Sequence, residues 1–199
     1  MTLAGDHLPT MSTAWSEPAV VIVTGIQAAG KSTIGRLLAE RLARAAFIDG
    51  DVLARMVVSG REGMTPEPSE EAVLQLHLRF RQAAALADSF HRAGFTSVMA
   101  DNIYGPGLVS QVDLVCARPV IVVVLAPSAE AVVERELARG TGAYGHWMRA
   151  TGLKEAVAEF QGYLAVTPRI GLWLDSTDQT PGATVDAIVA RAWTEGRVR

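Results

Sequence analysis

The chain has 199 residues, 49% hydrophobic and 20% charged, which suits one α/β domain with a substantial core. A formal net charge of −3 gives no basic footprint for nucleic acid, and no apolar run is long enough to span a membrane. The single cysteine, Cys116, excludes an intramolecular disulfide and fits a cytoplasmic setting; its neighbours Leu114 and Val115 predict a buried structural residue.

Residues 1–18 are polar, lack the apolar stretch of a signal peptide, and read as a disordered lead-in to a single domain over 19–199. Residues 19–24 read as a fully buried strand, and residues 32–43 as a helix with apolar positions Ile34, Leu37, Leu38 and Leu42. Between them, Gly25-Ile26-Gln27-Ala28-Ala29-Gly30-Lys31-Ser32 spells G-x-x-x-x-G-K-S. In that strand–loop–helix context the glycines let backbone N–H groups turn inward, and the helix N-terminus adds a positive dipole end. Lys31 is expected on the β/γ-phosphates and the Ser32 hydroxyl on Mg²⁺, with Thr33 beside them at the nucleotide. The chain contains only two lysines, Lys31 and Lys154, and one falls at the motif position that wants a compact ammonium. The motif predicts binding of a nucleoside triphosphate.

A short apolar run, residues 45–49, ends in Asp49. Residues 52–69 read as irregular, broken by Gly60, Gly63, Pro66 and Pro68, and are the expected substrate-binding region. A long helix is predicted from Glu70 to Ala93, capped by Ser69 and ended by Gly94, with a buried stripe of Val73, Leu76, Phe80, Ala83, Ala87 and Phe90. Residues 95–100 form a third strand ending at Asp101, and residues 120–125 a fourth. Ser128 opens a helix to Arg139; residues 140–152, with four glycines and the aromatic Tyr144 and Trp147, predict a lid. A helix over 153–165, a strand over 171–174 and a terminal helix opened by Thr180-Pro181 complete the order. Continuously apolar strands alternating with helices mean a parallel sheet covered on both faces, with every strand's C-terminal end on one edge. Chemistry is therefore expected just after the strands.

Asp101, after an apolar strand, has the pattern of a Walker B acid that holds Mg²⁺ through water; an N-cap or turn role is the alternative, since Asn102 and Gly105-Pro106 follow. Asp49 and Asp51 stand one residue apart at a strand end. One is suited to orienting magnesium's water shell and the other to taking a proton from a substrate hydroxyl; a plain Asp-Gly turn is the alternative. Arg135 and Arg139 lie four apart on one helix face. They, or Arg149 of the lid, would stabilise transition-state charge on the triphosphate; otherwise they form a solvated face paired with Glu134 and Glu136. Arg79 and Arg81 cannot both face the core; one facing the active-site edge is suited to holding an anionic or polar substrate, and a solvated helix face is the alternative for either. The adenine is expected near Asp175-Ser176-Thr177, which makes Ser176 and Thr177 nucleotide-binding residues.

This constellation resembles the small-molecule kinases of the nucleoside-monophosphate-kinase-like P-loop group. Ile48-Asp49-Gly50-Asp51 is similar to the strand-end motif of gluconate, adenylylsulfate and shikimate kinases. Asp51-Val52-Leu53, Glu134-Arg135-Glu136 with Arg139-Gly140, and the Leu172 to Thr177 stretch resemble chloramphenicol phosphotransferase-like proteins. The resemblance implies a three-layer P-loop NTPase fold with a five-stranded parallel sheet, the P-loop strand in its middle between strands three and four. It also implies ATP and Mg²⁺ as cofactors and Asp51 as the general base. The expected activity is transfer of the γ-phosphoryl group to a hydroxyl of a small molecule, an antibiotic or other secondary metabolite among the candidates. A central-metabolism kinase of sugar-acid or adenylylsulfate type is one alternative. A regulatory ATPase is the other; it needs a water-positioning residue, and only Gln27 presents itself.

Overall fold

A computed structural model describes residues 15–140, 142–145 and 152–199. Five parallel strands form one sheet in the order β2-β3-β1-β4-β5: β1 is Val20–Thr24, β2 Ala45–Asp49, β3 Thr96–Ala100, β4 Val120–Leu125 and β5 Leu172–Leu174. The helices are α1 (Lys31–Arg41), α2 (Gly50–Arg55), α3 (Glu70–Arg92), α4 (Gly107–Leu114), α5 (Ala129–Arg139), α6 (Leu153–Ala165) and α7 (Pro181–Glu195). The three central strands are buried along their whole length, as in a sheet covered on both faces, and β1 and β4 are almost wholly β-branched. Short β5 reaches only the upper half of β4. The lower half pairs instead with residues 196–199, through Val122 N to Gly196 O and Val120 N to Arg199 O.

Several boundaries differ from the sequence reading. Trp15 is buried, donates Nε1–H to Val189 O at 2.9 Å and meets Trp193 edge-on, so the folded chain starts upstream of residue 19; residues 1–14 lie outside the described residues. The region read as irregular begins with α2, a single helical span too short to show a 3.6-residue period. On α3 the fully buried face is Ala72, Ala83, Ala84, Ala87 and Asp88, while Phe90 is exposed and Leu76 and Phe80 are half-buried at a cavity wall. Helix α4 lies in a stretch to which the sequence assigned nothing. Cys116 is exposed, not buried: its backbone N–H, like that of Ala117, donates to buried Asp88, which turns the thiol outward. Ser69, Ser128 and Thr180 each accept from the N–H three residues on, as their predicted N-cap roles demand. No helix among the described residues is long and apolar enough to cross a membrane.

Candidate active site

The loop from Gly25 to Gly30 leaves β1 at the centre of the sheet edge. Gly25 has φ 147°, and a Cβ there would stand 2.5 Å from Leu125 O, so only glycine lets the loop pass the end of β4. Ala28 takes a left-handed conformation at φ 60°, uncommon for a residue with a Cβ. Alternating hand is what turns successive N–H groups toward one centre. Ile26 is in the core, and its carbonyl accepts from Lys31 Nζ at 2.7 Å. Burial pushes the Lys31 ammonium down to about 8, against the pull of Asp101, Asp51 and Asp49.

A cavity of about 370 Å³ lies against this loop. Gln27, Ala28, Gly30, Lys31, Ser32, Asp49, Asp51, Asp101 and Arg139 all line it, so most of the residues proposed from sequence converge there. Arg55 and Glu136 join them, and both were missed. Arg55 ends the unpredicted α2. Glu136, read as a surface partner of Arg139, is buried and accepts from Ala143 N at 2.7 Å.

The strand-end acids take different positions. Asp49 caps α2, its Oδ1 accepting from Asp51 N at 2.9 Å, so one of its oxygens has the turn role. Asp51 stands on the first turn of α2 with its side chain exposed to the cavities. Asp101 combines both of its alternatives. Its Oδ1 accepts from Asn102 N at 2.7 Å, a turn bond, and from Arg79 at 2.9 Å; its Oδ2 is buried with no hydrogen-bond partner. Burial raises the Asp101 carboxyl above its ordinary range, and Arg79, the Asn102 N–H and Lys31 oppose the shift. Thr24 at the end of β1 holds this turn from both sides, donating to Ile103 O at 2.6 Å and accepting from Ile103 N at 2.9 Å.

Gly50 lies between the two strand-end acids, and a Cβ on it would sit 2.1 Å from Asp101 Oδ2. The turn after β2 thus closes over the Asp101 carboxylate only because residue 50 has no side chain. Gly50→Ala is expected to displace Asp101 or α2, lower stability by about 1–3 kcal/mol and weaken magnesium dependence. Thermal melts and a magnesium titration check this; wild-type behaviour in both would mean the turn yields freely.

The bare Asp101 Oδ2, Ser32 in the cavity wall and the second oxygen of Asp49 suit a magnesium ion. Such an ion keeps several waters and takes one or two carboxylates plus phosphate oxygens. Among the described residues no three His, Cys, Asp or Glu side chains form a cage that would hold a metal unaided.

Two arginine expectations part company. Arg139 lines the phosphate cavity and donates to Thr33 Oγ1 at 3.3 Å. Arg135 does not reach that cavity. Its guanidinium donates to Ser176 O at 2.6 Å, Thr177 O at 3.2 Å and Ala29 O at 3.4 Å, which clamps the phosphate loop to the turn after β5. The reason is that three backbone carbonyls from two loops make a fixed acceptor set for its forked cation. Arg135 instead walls a cleft of about 210 Å³ with Ala29, Thr33, Arg139, Ser176 and Gln179, where the adenine was expected. Ser176 is buried there with its Oγ unpartnered. Thr177 is not part of that wall: its hydroxyl donates to Asp175 and accepts from Ser128 N at 2.8 Å, a turn-building role.

Of the predicted lid, Thr141 and residues 146–151, with Trp147 and Arg149, lie outside the described residues. Tyr144 is fully buried, meets Phe160 edge-on at 5.3 Å and donates to Gln27 O at 2.8 Å. It anchors its segment to the phosphate loop and is not a free aromatic cover.

A second cavity, about 720 Å³, opens beside the first. Met64, Thr65, Pro66 and Pro68 of the expected substrate region line one side. The rest comes from α3 (Leu76, His77, Arg79, Phe80), from residues 102–107, and from Phe160, Tyr163 and Val166. Tyr104 stacks on Tyr163 at 6.1 Å within it. Burial raises the Tyr104 hydroxyl, so it remains a neutral donor. Asp51 lines both cavities, with Gln27, Asn102 and Ala143; it is the one carboxylate to do so among the described residues.

Because a free Lys31 ammonium titrates near 8, triphosphate affinity is expected to hold below that pH and fall above it. The sign follows from linkage: phosphate binding favours the charged lysine, so above about 8 binding takes up a proton and weakens as pH rises, by at most about tenfold per unit. Calorimetric titration with ATP across that range is the check; affinity level to about pH 10 would mean an unperturbed lysine.

No protein-family model and no curated protein sequence matches this chain. Its backbone is similar to several solved structures. An unliganded sugar kinase from Janibacter sp. superposes with a TM-score of 0.62 at 20% identity, over 87% of this chain and 93% of that one. An APS kinase from Mycobacterium tuberculosis, in complex with AMPPNP and APS, gives 0.60 at 15% identity over 87% and 96%. A gluconokinase from Sinorhizobium meliloti gives 0.56 at 18% identity over 87% and 93%. With the sheet order and the phosphate loop already described, these likenesses establish an α/β P-loop NTPase fold built on a five-stranded parallel sheet.

Proposed function

We propose that this protein is an ATP-dependent phosphotransferase that moves the γ-phosphoryl group to a hydroxyl of a small, largely apolar molecule. The observation that carries this reading is Asp51, a carboxylate lining both the phosphate cavity and the larger cavity beside it. In this reading the triphosphate lies along residues 25–33 with its adenine toward the cleft of Arg135 and Ser176. An acceptor in the 720 Å³ cavity brings its hydroxyl to Asp51. The acceptor oxygen attacks the γ-phosphorus, its proton passes to Asp51, and the bond to the β–γ bridging oxygen breaks to release ADP. Lys31, Arg139 and Arg55 hold the phosphoryl oxygens. Ser32, Asp101 and Asp49 would hold a magnesium ion, which would neutralise charge on those oxygens.

The walls of the larger cavity favour an antibiotic or other secondary metabolite over a sugar acid. Leu76, Phe80, Tyr104, Phe160, Tyr163 and Val166 offer apolar and aromatic surface where a polyol would need a dense set of hydrogen-bonding groups. A regulatory ATPase would have no use for that cavity. The test is a panel of hydroxylated compounds incubated with labelled ATP, with transfer of the γ-phosphoryl read by mass. Acceptor-dependent transfer supports the proposal; phosphate release at one rate whatever compound is added would favour the ATPase.

A further inference from the structure

Arg79 lines the larger cavity but not the phosphate cavity. It projects from α3 between Leu76 and Phe80, both in the wall of the larger cavity, and its Nη2 donates to Asp101 Oδ1 at 2.9 Å. The pair is nearly closed to solvent, with side-chain exposures of 17% and 4%. Among the described residues of the larger cavity Arg79 is the only arginine or lysine, and its Nε has no partner. Asp51 adds a negative charge in the wall of the same cavity. The charge count there is one cation already paired with one buried anion, plus one further anion. An anionic acceptor would meet a guanidinium already neutralised by Asp101, with Asp51 repelling it from the same wall, and both are unfavourable in a site of low dielectric.

We infer that the Arg79–Asp101 pair selects against anionic acceptors, so that the acceptor is a neutral alcohol with an apolar body. This inference rests on the phosphotransferase reading of the larger cavity. Arg79 acts here as a specificity-determining residue through its partner: Asp101 accepts from the guanidinium and neutralises the one arginine in the described wall of the larger cavity. Selection of this kind works by a penalty on the wrong ligand as much as by attraction of the right one.

The test uses two small probes of one shape: tropate, a phenyl-bearing hydroxy acid, and the neutral diol in which its carboxylate is replaced by a hydroxymethyl group. Calorimetry on the full chain, without nucleotide or metal, gives their relative affinity independently of turnover. Wild type is expected to prefer the diol by about tenfold or more. Asp101→Asn keeps the shape of residue 101 and releases Arg79, and should bring tropate up to or past the diol. Arg79→Gln combined with Asp101→Asn should abolish that gain. Equal binding of the two probes to wild type would overturn the inference, even if the mutants failed to fold. So would a folded Asp101→Asn protein with an unchanged ratio, or a gain that survives loss of Arg79. Binding of neither probe to wild type or to Asp101→Asn would sink the acceptor-cavity reading itself, and the inference with it.

Discussion

Asp51→Asn is expected to bind ATP nearly as tightly as the parent and to transfer phosphoryl about 10²–10⁴-fold more slowly, the range that loss of a general base produces. The side chain faces both cavities and caps nothing; its backbone N–H, which the substitution leaves in place, is the group that bonds to Asp49. The asparagine keeps size and polarity but cannot accept the acceptor's proton. Because phosphoryl transfer has a loose transition state, part of the loss should appear as poorer positioning, seen as a raised acceptor KM. Asp49→Asn should behave differently. Asparagine caps helices about as well as aspartate, so α2 should survive, and the deficit should be confined to magnesium response. Steady-state kinetics on both variants, with nucleotide binding measured separately, distinguish the two acids. A dead Asp49→Asn beside a mild Asp51→Asn would exchange their roles.

Lys31→Ala should produce the other large effect, a loss of transfer of about 10³-fold or more together with weakened triphosphate binding. Lys31 is buried at the base of the phosphate cavity, held by Ile26 O, with Asp49, Asp51 and Asp101 around it. No other lysine is near to replace it: the remaining one, Lys154, is on α6. The fold should tolerate the change, since the lost ammonium was poorly solvated and its hydrogen bond went to a loop carbonyl. Nucleotide titration and thermal melts separate these contributions. Undiminished turnover in a folded Lys31→Ala protein would remove the basis for the phosphate-loop assignment.

Much of the candidate site is legible because it lies within short segments of local order. The strand–loop–helix run from Val20 to Arg41, the acids that end β2 and β3, and the caps Ser69, Ser128 and Thr180 each follow from apolar runs and near-neighbour hydrogen bonds. Parallel β–α–β connectivity then brings all the strand ends to one edge, with no knowledge of packing required. What was misread depends on contacts between distant segments. Helix phase decided that Arg79 and not Arg81 reaches Asp101, and that Phe90 stays outside while Asp88 goes in. Three backbone carbonyls from two loops captured Arg135, which sequence spacing alone placed with Arg139.

By itself, then, the sequence determined the order of the strands and of α1, α3, α5, α6 and α7, the parallel sheet, the phosphate loop and the acids around it, because each is encoded by residues within about one turn or one strand of each other. Tertiary structure alone decided how that edge is divided: a phosphate cavity, an apolar cavity beside it, and Asp51 between them. It also decided that Gly50 must lack a side chain and that Arg79 neutralises Asp101. Cavities and buried ion pairs depend on where side chains from separate elements meet, and that is set by packing in three dimensions rather than by any spacing along the chain.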